Sequence, residues 1–197
     1  MKTRSKALLL TLCAVLLVAA TIFGTMAYLT STDTVTNTFT VGKVNIKLDE
    51  AKANSDGTLV EGAERVKANS YKLLPGHTYN KDPMVTVLSG SESSYVKMTV
   101  TFSKANELDA IFAPDGANLT SIFSGYDAAN WIAKGNTKDA TANTRTYEFW
   151  YKEAVAAPTA DVALDALFDS ITVPGTITGA QLATIGGMTI TVNAYAI

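Results

Sequence analysis

Strict alternation of apolar and polar residues is the feature that most limits what this chain can fold into. Between Tyr95 and Phe102 the even positions are all apolar, whereas Lys97, Thr99 and Thr101 occupy the odd ones. Successive side chains of a β-strand point to opposite faces, so this pattern predicts a strand with one buried face. The same pattern predicts strands over Arg145–Lys152, Met84–Leu88 and Met188–Ala196.

Helical patterns are short by comparison. Apolar residues recur at roughly helical spacing over Asn106–Phe112 and Asp161–Ser170, which predicts a short helix in each. Residues 50–70 form a charged surface excursion with a turn at Asp56-Gly57. Strands and helices do not alternate as they do in α/β folds. The sequence therefore predicts an all-β, jelly-roll-like antiparallel two-sheet sandwich of six or seven strands. Short helical insertions interrupt it, and a signal-peptide helix precedes it.

The N-terminus has the three parts of an export signal. Residues 1–6 carry three cations, Ala7–Gly24 are 18 residues without a charge, and Thr25-Met26-Ala27 places small residues at the two positions that a signal peptidase reads. We predict that residues 1–27 are a signal peptide, that cleavage falls between Ala27 and Tyr28, and that 28–197 is a secreted domain. The alternative is an uncleaved segment that anchors the protein in the membrane.

Composition argues against several classes of function. The chain has 16 basic and 18 acidic residues, and without residues 1–27 its net charge is −5, which disfavours binding to nucleic acid. The single cysteine, Cys13, lies in the apolar run, and the single histidine, His77, lies in a Pro-Gly turn. These residues do not supply a zinc cluster, a catalytic triad or a cofactor motif. We therefore expect neither an enzyme nor a cofactor or metal site.

Residues 34–41 form a further alternating segment, close to the predicted new N-terminus. Threonine occupies every even position of this segment, while Val35, Phe39 and Val41 lie on the opposite face. A free alternating segment can add to an exposed sheet edge through backbone hydrogen bonds. We interpret residues 28–42 as a candidate donor strand, with Val35, Phe39 and Val41 as its anchoring residues. The alternative is that the segment pairs within its own domain.

Three blocks of the sequence resemble the TasA/camelysin family of exported bacterial proteins, whose signal peptides depend on a dedicated signal peptidase (SipW). The first block resembles the family's signal peptide and first strand, and the other two resemble later conserved blocks. Together they cover Gly24–Thr30 with Val35–Val44, then Leu74–Gly76, Lys81–Pro83 and Val85–Val87, and finally Ile190–Ile197.

This resemblance implies a secreted structural subunit of extracellular biofilm-matrix or cell-surface fibres. Its partners would be copies of itself, joined by N-terminal strand addition. During export it would also bind the signal peptidase. It would contact the membrane only through an uncleaved signal segment. Two alternatives remain open. One is a camelysin-like cell-surface metallopeptidase, and the other is a carbohydrate- or cell-wall-binding sandwich that uses Trp131 or Trp150.

Overall fold

The structure is a computed structural model that describes residues 3–29, 42–112 and 123–197. It divides into two compact units, residues 1–41 and residues 42–197. The described part of the first unit is a single helix, and the second unit contains all the described strands.

Helix α1 spans Thr3–Leu29. Its window from Thr3 to Thr21 has a mean hydropathy of 1.7, and it is the one described helix long and apolar enough to cross a membrane. Leu8, Leu10 and Leu17 are exposed. An apolar helix near the N-terminus is compatible with the predicted signal sequence, because a signal peptide has the same length and composition. Ala27 and Tyr28, the predicted cleavage site, lie within this helix.

The larger sheet of the second unit has four antiparallel strands in the order β10-β4-β7-β6. These strands are β4 (Val96–Ser103), β6 (Trp131–Asp139), β7 (Thr144–Tyr151) and β10 (Ile190–Ala196). The predicted buried face of β4 is confirmed, since every even residue from Val96 to Phe102 is buried. Tyr147 and Phe149 of β7 are buried in the same way.

Six shorter strands form two three-stranded antiparallel sheets. One sheet has the order β1-β3-β8 and the other has the order β2-β9-β5. Their bounds are β1 (Ile46–Asp49), β2 (Thr78–Asn80), β3 (Met84–Val87), β5 (Phe123–Ser124), β8 (Val162–Ala163) and β9 (Ser170–Thr172).

Two of the three strands in each small sheet come from the same two stretches of chain, residues 78–87 and 162–172. Between the sheets these stretches stay hydrogen-bonded, from Lys81 N to Asp169 O (3.0 Å) and from Leu167 N to Pro83 O (3.1 Å). The pairing shifts by one residue between Asn80–Ser170 and Thr86–Ala163. An extra residue on one strand interrupts the regular ladder. This shift divides a continuous ribbon into two sheets.

One hydrophobic core joins the large sheet to both small ones. Met98, Val100 and Phe149 of the large sheet cluster with Val85 of β3 and Phe123 of β5. The rings of Phe123 and Phe168 are 4.4 Å apart. Burying each such side chain contributes roughly 1.5–3 kcal/mol, so this shared core is the main source of cohesion between the sheets.

The helices agree only in part with the sequence patterns. Helix α2 (Ala105–Phe112) confirms the first predicted helix. The prediction of a helix over Asp161–Ser170 is wrong, because this stretch contains β8 and then irregular chain. Leu164, Leu167 and Phe168 are buried by an extended backbone that bonds to β3, with Leu164 N donating to Val85 O (2.8 Å). A third helix, α3 (Gly179–Thr184), was not predicted.

The predicted class, antiparallel β-structure with a few short helices, is confirmed. The described residues contain three sheets where the sequence analysis expected two. They contain ten strands where it expected six or seven. Alternation cannot be recognised in β2, β5, β8 and β9, which have only two or three residues each, and the nine-residue β6 has no regular alternation of buried and exposed side chains.

Candidate functional site

Strand β10 forms one edge of the four-stranded sheet in the part of the chain that the structure describes. Tyr95 and Ile197 exchange two backbone hydrogen bonds of 2.8 and 2.9 Å, and in the same register Ser103 N donates to Thr189 O (3.0 Å). Hydrogen-bonded and non-hydrogen-bonded pairs alternate along an antiparallel ladder. The N–H and C=O groups of Val192 and Ala194 therefore point away from β4, toward the open edge.

The β10 edge lies beside β1, the edge strand of a small sheet, but the two strands are not hydrogen-bonded. Between them runs a groove of about 410 Å³, which we call the β1–β10 groove. Leu48, Asp49 and Glu50 line one side, and Ile190, Thr191 and Val192 line the other. Ile190 and Val192 are only partly buried although they pack against the core. The hydrophobic core is thus incompletely covered at this edge.

A second cavity of about 550 Å³ continues the groove and shares Asn69, Lys81 and Ile190 with it. Its lining is mostly apolar and includes Leu73, Phe102 and Leu108. Helices α2 and α3 contribute Phe112 and Leu182 to its wall. Together the two cavities form a long channel that is apolar at one end and polar at the other.

The polar end holds a cluster in which two side chains, those of Lys81 and Asn69, converge on the carboxylate of Glu50. Lys81 Nζ donates to Glu50 Oε2, and Asn69 Nδ2 donates to Glu50 Oε1 at 3.0 Å. Lys81 and Glu50 are only 7% and 5% exposed. Tyr71 lies nearby; burial raises the pKa of its phenol and the negative charge of Glu50 raises it further. Sequence reasoning missed this cluster because its members are 12 to 31 residues apart.

A second ionic cluster fixes the charged excursion of residues 50–70. Arg65 bridges two carboxylates, with Nε donating to Asp49 Oδ1 (2.6 Å) and Nη1 donating to Asp82 Oδ2 (2.7 Å). Burial raises the pKa of Asp49, but the hydrogen bonds and charges of Lys47 and Arg65 outweigh it, so the pKa lies below its ordinary value. The excursion is therefore tied to β1 and to the chain that follows β2.

The two tryptophans considered for glycan binding have different environments. Trp131 is 1% exposed, and its indole N–H donates to Asp165 O at 3.0 Å, so it belongs to the core and does not form an exposed platform. Trp150 is half-buried on the outer face of the large sheet. Lys97 Nζ lies 5.7 Å from the Trp150 ring and 5.0 Å from the ring of Tyr195.

The other predicted residues can be located only in part. Val35, Phe39 and Val41 lie outside the described residues, and so does most of the candidate donor strand at 28–42. His77 is exposed in a turn, as predicted, and its backbone N–H donates to Leu74 O at 3.3 Å. Among the described residues no group of three or more histidine, cysteine, aspartate or glutamate side chains is arranged to hold a metal ion.

Comparison with known proteins gives no relative for this chain. No family model, curated protein or solved structure matches it.

Proposed function

We propose that this protein is an exported structural subunit that polymerises by strand addition, in which the N-terminal segment of one copy pairs with the β10 edge of another. The observation that carries the proposal is the β10 edge, whose outward backbone groups have no strand partner among the described residues and border a groove into the core. The resemblance to the TasA/camelysin family supports the same proposal and suggests fibres of a biofilm matrix or a bacterial cell surface.

The backbone of β10 has the chemistry that strand addition requires. An incoming strand bonds to outward N–H and C=O groups, and those of Val192 and Ala194 point away from β4. Pairing within the groove would also cover Ile190 and Val192, which are only partly buried. A donor strand would thereby complete the four-stranded sheet and the core together, and the product would be the jelly-roll-like sandwich that the sequence predicts.

The apolar end of the channel and the apolar face of the candidate donor strand are complementary. Val35, Phe39 and Val41 share one face of their segment, and threonines occupy the other. The apolar end of the channel reaches β10 at Ile190 and is lined by Leu73 and further apolar side chains. The apolar face of the donor would enter the channel, whereas its threonine face would remain in solvent. Head-to-tail addition of this kind produces an open filament and not a closed ring.

Opposite faces of the donor segment provide a matched test. We expect Val35→Asp with Phe39→Asp to abolish fibres in negative-stain electron microscopy, because two carboxylates would enter the apolar end of the channel. The control is Thr36→Asp with Thr38→Asp, which adds the same charge to the same segment on its solvent face. Fibres should persist in the control.

Deletion of Tyr28–Thr38 distinguishes a segment that joins subunits from one that pairs within its own domain. The proposal predicts a soluble, folded subunit that forms no fibres and that binds a synthetic Tyr28–Val41 peptide. If the deletion leaves association unchanged, strand addition is ruled out. If it instead unfolds the monomer, the segment is a strand of its own domain.

Glycan binding is the second candidate function, and an aromatic surface on the outer face of the large sheet supports it. Tyr195 is 45% exposed and shares Lys97 with Trp150, which gives an aromatic surface of the kind that sugar rings stack on. Cell-wall oligosaccharides that change the tryptophan fluorescence would support this candidate. Unchanged fluorescence across a glycan panel would dispose of it. The metallopeptidase alternative remains a prediction of the family resemblance alone.

A further inference from the structure

The cluster of Glu50, Asn69 and Lys81 combines a nucleophile, a proton carrier and an acyl group. Lys81 Nζ and Asn69 Nδ2 bind the two oxygens of the same Glu50 carboxylate. The amine and the side-chain amide are therefore separated by a single carboxyl group. All three residues line the β1–β10 groove, and the lysine and the glutamate are almost fully buried.

Backbone groups hold the Asn69 amide in one orientation. Ala53 N donates to Asn69 Oδ1 at 2.9 Å, and Asn69 Nδ2 also donates to Ala51 O at 2.8 Å. A donor on the carbonyl oxygen polarises the carbonyl and stabilises negative charge that develops there. The amide is thus fixed and activated for attack at its carbon atom.

We propose that Lys81 and Asn69 form an intramolecular isopeptide bond, with Glu50 as the proton carrier. Lys81 Nζ donates directly to Glu50, and transfer of that proton gives a neutral amine and a neutral acid. Only the neutral amine has the lone pair that attack requires.

The reaction balances without an oxidant, a reductant or a cofactor. The lone pair of Lys81 Nζ attacks Asn69 Cγ and forms the Nζ–Cγ bond, while Ala53 N–H stabilises the charge on Oδ1. The Cγ–Nδ2 bond then breaks, and its electron pair stays on nitrogen. Of the three protons of the ammonium group, one stays on the new amide and Glu50 passes two to the departing nitrogen, which leaves as ammonium.

The bond would be a covalent cross-link in a domain that has no disulfide. Within residues 28–197 the sequence contains no cysteine, so a disulfide cannot form there. The linkage joins the end of the 50–70 excursion to the chain between β2 and β3, and it closes a short loop that constrains the unfolded chain. This inference concerns the folded domain and holds whether or not the protein forms fibres.

Peptide mapping of the purified full-length protein by mass spectrometry tests the bond. We expect a tryptic fragment in which Lys81 is joined to Asn69, lighter than the sum of its two peptides by one ammonia molecule. Unlinked Asn69 and Lys81 peptides, or ammonia lost at another asparagine, would overturn the proposal. Loss of one water molecule with Lys81 joined to Glu50 would overturn it as well.

Variants assign the roles of the three residues. Lys81→Arg and Glu50→Gln should show no linkage, because the first removes the nucleophile and the second removes the proton acceptor. Asn69→Asp should still link, but with loss of water in place of ammonia, which a purely structural role would not produce. The control is Lys67→Arg at a neighbouring exposed lysine, and it should link completely. The mass of the wild-type fragment decides the question even if a variant fails to fold.

Discussion

Asp109 is the residue on which the attachment of helix α2 depends. Its carboxylate accepts two hydrogen bonds from Arg145 Nη2, of 2.8 and 2.7 Å, and one from Lys138 Nζ of 2.8 Å. These contacts join α2 to β6 and β7. Burial raises the pKa of Asp109, but the hydrogen bonds and charges of Lys138 and Arg145 outweigh it and hold the pKa below its ordinary value.

The lowered pKa of Asp109 gives a stability that depends on pH. The folded carboxyl binds a proton less readily than the unfolded one, so its contribution is complete above the unfolded pKa of about 4 and is lost as the pH falls through the folded pKa. We expect Asp109→Asn to lower the free energy of unfolding by about 1–3 kcal/mol at neutral pH. Urea unfolding at neutral and acidic pH measures both effects.

The control for Asp109 is Glu61→Gln, at an exposed carboxyl in the 50–70 excursion. It should leave the free energy of unfolding unchanged. The account of Asp109 fails if Asp109→Asn is as stable as the wild type at neutral pH, or if its loss of stability is the same at acidic pH.

At the scale of elements, the sequence was informative where the alternation was long. Strands β4, β7 and β10 each have seven or eight residues, so their core-facing sides could be predicted from the order of residues. The helix predicted over Asp161–Ser170 is wrong because Leu164, Leu167 and Phe168 have helical spacing but are buried in the core from a non-helical backbone. The Glu50–Asn69–Lys81 cluster was not predictable, because only the fold brings these residues together.

The sequence signal for helix α3 is a capping box at its start. Thr178 and Gln181 form a capping box, in which Gln181 N donates to Thr178 Oγ1 at 3.2 Å and Thr178 N donates to Gln181 Oε1 at 2.9 Å. This spacing of threonine and glutamine is typical of a helix start. The cap positions Ile185, which is fully buried in the smaller core cluster with Tyr79 and Val173.

Removal of that cap should destabilise the domain measurably. We expect Thr178→Ala to cost about 1 kcal/mol, because a backbone N–H at the helix start loses its acceptor. The midpoint of thermal unfolding reports the change. Thr176→Ala, an exposed threonine outside the helix, is the matched control and should leave the midpoint unaltered. An equal shift in both variants would mean that the capping box does not stabilise α3.

The edge of β10 can be blocked without breaking its pairing with β4. Ala194→Pro removes an N–H that points away from β4, and proline is tolerated at such positions of edge strands. We expect a folded subunit with nearly unchanged thermal stability that no longer forms fibres. Ala194→Ser keeps the N–H and should assemble normally. Fibres of unchanged number and length in Ala194→Pro would show that β10 is not the acceptor.

At the scale of the whole molecule, the described residues comprise an apolar N-terminal helix and an antiparallel β-domain whose core they cover only partly along the β10 edge. The helix is compatible with export, and the edge is compatible with acceptance of a strand from another copy. Removal of residues 1–27 would create the free N-terminal segment that the proposed assembly requires. In the proposed assembly, export and polymerisation would be linked, because one cleavage would both release the chain and expose its donor strand.

N-terminal sequencing of the exported protein, combined with its mass in solution, tests this central claim most directly. The account predicts that the chain begins at Tyr28 and that the same material contains particles far larger than one subunit. A chain that retains residues 1–27, or a trimmed chain that stays a single monomer at all concentrations, would contradict it.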